Sequence, residues 1–181
     1  MIFLPTALAG SFIVELETFT DERGWFARYY CMEEFREIGH SKEWVQMNHS
    51  FSSKPGTIRG MHFQKEPFGE IKLVRCIAGS VFDVIIDLRK NSPTFLHWFG
   101  TELSAQNKRS LYIPEGFAHG FQCLSENCEL LYHHTAFYKP GAEAGIRYDD
   151  PVVSINWPLP VSVISERDIS HPLLPNDFKG I

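Results

Sequence analysis

His62, Arg59, Arg75 and Lys72 fall within one short stretch, Gly56 to Cys76, which reads GTIRGMHFQKEPFGEIKLVRC. An imidazole moves protons near neutral pH, an ammonium steadies a developing oxyanion, and a guanidinium clamps an anion. Strict alternation puts Ile58, Gly60, His62 and Gln64 on one strand face, and Lys72 on a face with Val74 and Cys76. Faces that mix small or apolar residues with one imidazole and one ammonium suit the walls of a pocket. They also suit a simpler role, because a lone buried histidine is more often a hydrogen-bonded core group. The rest of the chain decides between the two.

Short strands separated by turns must position these groups. Ser11 to Thr18, Trp25 to Cys31, Trp44 to Phe51, Ser80 to Leu88, Leu96 to Leu103, Ser110 to Ile113, Gly120 to Leu124 and Glu129 to Thr135 carry strand patterns. Asp21-Glu22-Arg23-Gly24 and Asn91-Ser92-Pro93 read as turns, and Met32 to Ile38 as two helical turns stopped by Gly39. Gln46, Asn48 and Ser50 put amides and a hydroxyl on one face, which fits either a polar ligand surface or a solvent-facing edge. Turn signals at roughly ten-residue spacing with little helix predict a β-sandwich or barrel. A chain of 181 residues without repeats or linkers predicts one domain spanning 1–181, and 14% aromatics, 15 of them Phe, suit packed sheets.

A formal net charge of −5 argues against nucleic acid or an anionic membrane as partner, though local arginines still suit a small anion. The apolar N-terminal stretch lacks a basic segment and runs into Glu15 and Glu17, and no apolar run reaches membrane-spanning length. Cys31, Cys76, Cys123 and Cys128 show no zinc spacing and read as reduced thiols of a cytoplasmic protein. Pro114-Glu115-Gly116-Phe117-Ala118-His119 is a PxGxxH turn, similar to the second signature of the cupin jelly roll. Where the first cupin signature supplies HxH, this chain has His62-Phe63-Gln64. One imidazole plus His119 falls short of three protein ligands, so neither metal nor cofactor is expected.

With these motifs in view, the chain resembles the dTDP-4-dehydrorhamnose 3,5-epimerase family nearly end to end. The likeness rests on DERG at 21–24, Gln46 and Asn48, IRGMHFQ at 58–64 and KLVR at 72–75. It continues through PEGFAHGF at 114–121, Tyr132, Tyr138, EAGI at 143–146, DDP at 149–151 and SERD at 165–168. The resemblance implies an all-β, cupin-type jelly roll with a few short helices. It also implies a homodimer with an N-terminal strand reaching the partner, and a nucleoside-diphosphate 4-keto-6-deoxysugar as substrate.

Epimerisation beside a ketone needs a base on one face, an acid on the other, and stabilisation of the enolate between them. By resemblance His62 is the base, Asp168 its carboxylate partner, Tyr132 the acid and Lys72 the cation near the keto oxygen. His119 matches a substrate contact. Arg23, Gln46, Asn48, Arg59, Glu143 and Arg167 match nucleotide or sugar contacts, and Tyr138 a ring that stacks on the base or closes over the ligand. Alternation puts Arg59 and His62 on opposite faces, so either Gly60 marks a bulge or Arg59 serves from another direction.

Two positions depart from the family pattern. Arg167 stands where Lys is common. Arg28 stands where a Glu usually contacts the nucleotide end, and a donor-only group replaces an acceptor-only one. If Arg28 faces the base, a cytosine or guanine edge fits it better than thymine; otherwise it points to solvent or to phosphate. A ketoisomerase of the same architecture and a non-catalytic nucleotide-sugar binder are the alternative readings, and whether one carbon or two inverts stays open.

Overall fold

The computed structural model describes residues 1–181. In chain order the first elements are β1 (Ile2–Pro5), β2 (Phe12–Glu15), β3 (Thr18–Asp21), β4 (Gly24–Ala27), α1 (Met32–Arg36), β5 (Gln46–Ser52) and β6 (Ile58–Gln64). Then come β7 (Lys72–Ala78), β8 (Ser80–Asp87), β9 (Trp98–Ser104), β10 (Ser110–Ile113), β11 (Phe117–Cys123), β12 (Cys128–His134), β13 (Glu143–Gly145) and α2 (Glu166–Ile169). A six-stranded sheet, β1-β2-β10-β7-β12-β5, faces a five-stranded one, β13-β6-β11-β8-β9. All pairings in the two sheets are antiparallel. The hairpin β3–β4 stands apart from both.

Between the sheets, Val74, Cys76, Leu111, Ile113 and Leu130 of one meet Val81, Ile85, Leu103 and Phe121 of the other. Alternation within single strands turns this core into a site. On β12, Cys128 and Leu130 lie in the core and the same face continues to Tyr132 and His134; on β7, Cys76 and Val74 lead to Lys72. The inner faces thus change from apolar to polar along the strands, and the polar ends enclose a cavity. β8 is buried on both faces, because Val84 and Ile86 pack under the C-terminal segment with Ile146 and Val153. That double burial accounts for its nearly continuous apolar run.

α1 has only five residues, too few to persist alone. It is held by Phe35, fully buried against Val14, Leu73 and Tyr112, a contact contributing roughly 1.5–3 kcal/mol.

The expected strand Trp25–Cys31 ends at Ala27, because Tyr29 and Tyr30 turn in to pack around the α1 cluster. The helix expected to run to Ile38 ends at Arg36 and continues as turns to Gly39. His119 sits within β11 rather than in the turn before it. The expected strand Ser11–Thr18 ends at Glu15, and β1, β3, β13 and α2 were not anticipated; each has four residues or fewer. No helix is long and apolar enough to cross a membrane.

Asp87, at the end of β8, is fully buried and organises the loop that follows. Arg89 Nε donates to it at 2.9 Å, Ser92 Oγ at 2.5 Å and Thr94 Oγ1 at 2.6 Å. Burial pushes its carboxyl up, but these bonds outweigh burial and hold it at about 2. A lowered folded-state value means that stability is present above the unfolded value near 4 and lost as pH falls through about 2. Denaturant unfolding at pH 5 and at pH 2 should differ by up to about 2 kcal/mol through this group, a shift that Asp87→Asn should remove.

Candidate active site

The cavity between the sheets encloses about 590 Å³. His62 on β6 and Asp168 on α2 meet on one wall, with His62 Nε2 2.7 Å from Asp168 Oδ1. Asp168 is 4% exposed. Burial pushes its carboxyl up, yet bonds from His62, the Gly60 backbone N–H and Ser165 hold it below the usual carboxylate range. An ionised Asp168 accepts the Nε2–H, which fixes the ring tautomer and leaves the lone pair on Nδ1. Asp168 is itself fixed, since its Oδ2 accepts the Gly60 N–H at 3.1 Å and its own N–H donates to the α2 cap Ser165 at 3.1 Å.

Tyr132 lies on the other sheet. Burial raises its hydroxyl above the ordinary phenol value, against a lowering hydrogen bond with Ser50 Oγ at 2.9 Å, so it stays protonated at neutral pH. His119 stands beside it, ring centroids 6.2 Å apart. The His119 ring is held by the buried Asp83, whose two carboxylate oxygens both lie 3.0 Å from Nε2.

A relay runs along the six-stranded sheet. Asn48 Nδ2 lies 3.3 Å from His134 Nε2, and His134 Nδ1 lies 2.8 Å from Glu70 Oε2. Glu70 Oε1 lies 3.3 Å from the buried Lys72 Nζ. Burial raises the Glu70 carboxyl, but His134 and Lys72 outweigh it and hold it below its ordinary value. An ionised Glu70 makes His134 Nδ1 the donor and His134 Nε2 the acceptor from Asn48. Lys72 Nζ also reaches the His62 carbonyl at 3.5 Å, so one of its three donors is left for a ligand.

At the cavity mouth, Tyr138 Oη donates to Glu143 Oε2 at 2.8 Å, Arg167 Nη2 donates to Glu143 Oε1 at 2.7 Å, and Gln46 Oε1 accepts the Tyr138 N–H at 3.0 Å.

Arg59 and His62 both line the cavity. The pairing of β6 with β11 shifts by one between His119↔His62 and Phe121↔Arg59, so Gly60 and Met61 face Gly120 alone. This is the bulge that alternation required. Gly60 has φ +124, and a Cβ there would stand 2.5 Å from the Cα of Gly120. Only glycine fits a position that is both in positive φ and in contact with another backbone.

Of the expected residues, His62, Tyr132, Asp168, Lys72, Gln46, Asn48, Arg59, His119, Tyr138, Glu143 and Arg167 all line this one cavity. Arg23 and Arg28 do not. Arg23 sits in the β3–β4 turn, 85% exposed and paired with Asp21. Arg28 Nη1 donates to Glu34 at 2.7 Å, and its side chain is 64% exposed. Arg75 turns to the opposite face and lies over the Tyr29 ring, 5.1 Å from its centroid. Sequence reading missed Glu70, His134 and Asp83, while Ser50, read as part of a polar face, lines the cavity. Asp83 left a usable signal, because a carboxylate alternating with Val81 and Ile85 on an apolar face must have a partner.

Removing a proton on one face of a ligand and delivering one on the other is the chemistry of an epimerase, and a jelly roll furnished for it falls among the cupin-type sugar epimerases. The sequence model of the dTDP-4-dehydrorhamnose 3,5-epimerase family matches residues 5–176, and the chain belongs to that family. It is 48% identical over 176 residues to the dTDP-4-dehydrorhamnose 3,5-epimerase of Salmonella typhimurium, covering 96% of each chain. Its fold is similar to the crystal structure of the Elizabethkingia anophelis enzyme, with TM-score 0.94, 40% identity and 98% of each chain covered. It is also similar to the Legionella pneumophila epimerase in complex with dTDP-4-keto-L-rhamnose, with TM-score 0.89, 40% identity, and 95% of this chain and 92% of that one covered. The family model and the relatives are epimerases, which favours the epimerase over the ketoisomerase and over the non-catalytic binder.

Asp168→Asn keeps the shape but lets the new amide donate to Nε2, which moves the ring proton to Nδ1. Turnover should fall on the order of 10²–10⁴-fold with substrate affinity little changed, as steady-state kinetics would measure.

Proposed function

We propose that this chain inverts carbons 3 and 5 of a dTDP-linked 4-keto-6-deoxyhexose, a step of deoxysugar biosynthesis. The observation that carries the reading is the placement of the His62–Asp168 pair and of Tyr132 on opposite sheets of one cavity. His62 Nδ1 removes the proton beside the ketone, and Asp168 stabilises the imidazolium that forms. Tyr132 returns a proton from the far side. Lys72 faces the enolate oxygen, where an ammonium ~4 Å away contributes about 4 kcal/mol at an effective dielectric near 20. That is enough to account for roughly a thousandfold in rate.

His119 binds the sugar. Arg59 and Arg167 take the diphosphate, and Gln46, Asn48 and Glu143 hold the nucleotide sugar under Tyr138. A guanidinium suits phosphate oxygens because its donors form a planar fork.

Arg23 and Arg28 act in a homodimer. The β3–β4 hairpin carries Phe19, Trp25 and Phe26, which are 73%, 50% and 72% exposed, and such a patch marks an interaction surface. Laid on a second copy, the hairpin brings Arg23 and Arg28 to that copy's nucleotide end. The four free cysteines fit a reducing cytoplasm.

Proton NMR in deuterated water with dTDP-4-keto-6-deoxyglucose tests the reaction. Deuterium should enter at carbons 3 and 5; entry at one carbon alone would reduce the activity to a single epimerisation, and none would refute it. Tyr132→Phe should still admit deuterium with retained configuration, because His62 can return what it removes, while the inverted product is lost. Sedimentation should give a dimer, and Arg23→Ala should raise KM for the dTDP-sugar with kcat nearly unchanged.

A further inference from the structure

His171 belongs to no step of the proposed reaction, yet it completes a cluster around the base. It lies just beyond α2 and sets its imidazole edge-on to His62, with centroids 5.8 Å apart and planes at 73°. The end of its ring fills the space a Cβ at position 145 would take, with Nε2 2.3 Å from that point. Nε2 is buried and has no hydrogen-bond partner. One donor atom each from His62, Asp168 and His171 lies within 4.8 Å of the other two.

We infer that His62, Asp168 and His171 form a zinc site whose occupation silences the catalytic base. Two imidazoles and one carboxylate match the three-ligand zinc pattern, and two of the three, His62 and Asp168, line the cavity. Magnesium and calcium prefer all-oxygen shells and are disfavoured here. Tetrahedral bonds of ~2.0–2.2 Å put donor atoms roughly 3.3–3.6 Å apart, so His171 must move inward from a spacing of up to 4.8 Å while zinc replaces the His62–Asp168 hydrogen bond and opens that pair from 2.7 Å. His171 supplies that movement from a loop position, while Asp168 is braced by Gly60 and Ser165 in the way outer partners orient metal ligands. Glu143 and Arg167 stand nearby but pair with each other, so neither adds a net charge.

The inhibition follows from the ring protons. A neutral His62 carries its one proton on Nε2. Zinc bound at Nε2 requires that proton to move to Nδ1, with no net release. The Nδ1 lone pair that would attack the substrate is then gone. Only this second half rests on the epimerase reading.

The test uses nucleotide-free protein, zinc chloride titrated by calorimetry, and cobalt(II) as a spectroscopic stand-in. The wild-type chain should bind one equivalent of zinc and give visible tetrahedral cobalt bands. His171→Phe keeps a ring over Gly145 and should weaken zinc at least ~10-fold, while exchange in chelator stays within about twofold. Zinc inhibition of deuterium exchange should weaken by the same factor, and His62→Asn should abolish the cobalt bands. Unchanged zinc affinity in His171→Phe, no binding by the wild-type chain, or full exchange with zinc bound would overturn the inference. A chain that binds zinc through His171 but exchanges no deuterium would instead sink the epimerase reading and leave the metal site standing.

Discussion

A single buried carboxylate holds the site together. Asp168 comes from a four-residue helix and reaches a histidine 106 positions earlier in the chain. Isolated burial would protonate it, and a protonated Asp168 would no longer fix the tautomer of His62. Two donors oppose that, the His62 ring and the Gly60 N–H, while the Ser165 cap fixes the Asp168 backbone. The Gly60 donor links the carboxylate to the bulge, so the feature that aims Arg59 and His62 into one cavity also keeps Asp168 charged. Catalytic geometry and backbone geometry depend on one interaction here.

The second organising element is the relay from Asn48 through His134 and Glu70 to Lys72. It places a carboxylate beside an ammonium that would otherwise be a lone buried cation, which is costly. It also joins Asn48 to Lys72 by a continuous run of polar contacts along the cavity wall. The overall charge of −5 is thus no obstacle to an anionic substrate, because Arg59 lines the cavity without a carboxylate partner while the acidic groups there, Glu70, Glu143 and Asp168, are all paired.

Much of this was legible in the sequence, for identifiable reasons. Strands Ile58–Gln64 and Ser110–Ile113 follow the expected bounds because Gly and Pro mark the turns beside them, even though the bulge at Gly60 breaks the alternation of the first. β13 and α2 escaped notice because three or four residues are too few to carry a period, and both exist through their neighbours: β13 pairs with β6, and α2 is anchored by Asp168. The same limit hid Glu70 and His134. Each looks like an ordinary polar residue until β12 is laid antiparallel to β7, with His134 opposite Lys72. Arg28 pairs with Glu34, a partner that nothing local in the chain announced.

The contact between Gly145 and His171 has a bearing on how such a chain can change over generations. The imidazole occupies the volume that any larger residue at 145 would need. The two positions are therefore not free to drift independently. A side chain can arrive at 145 only after the ring at 171 has shrunk or turned away, whereas 171 can change first without a clash. History at this corner of the protein runs in one direction, and descendants that carry a β-carbon at 145 should already have lost the histidine.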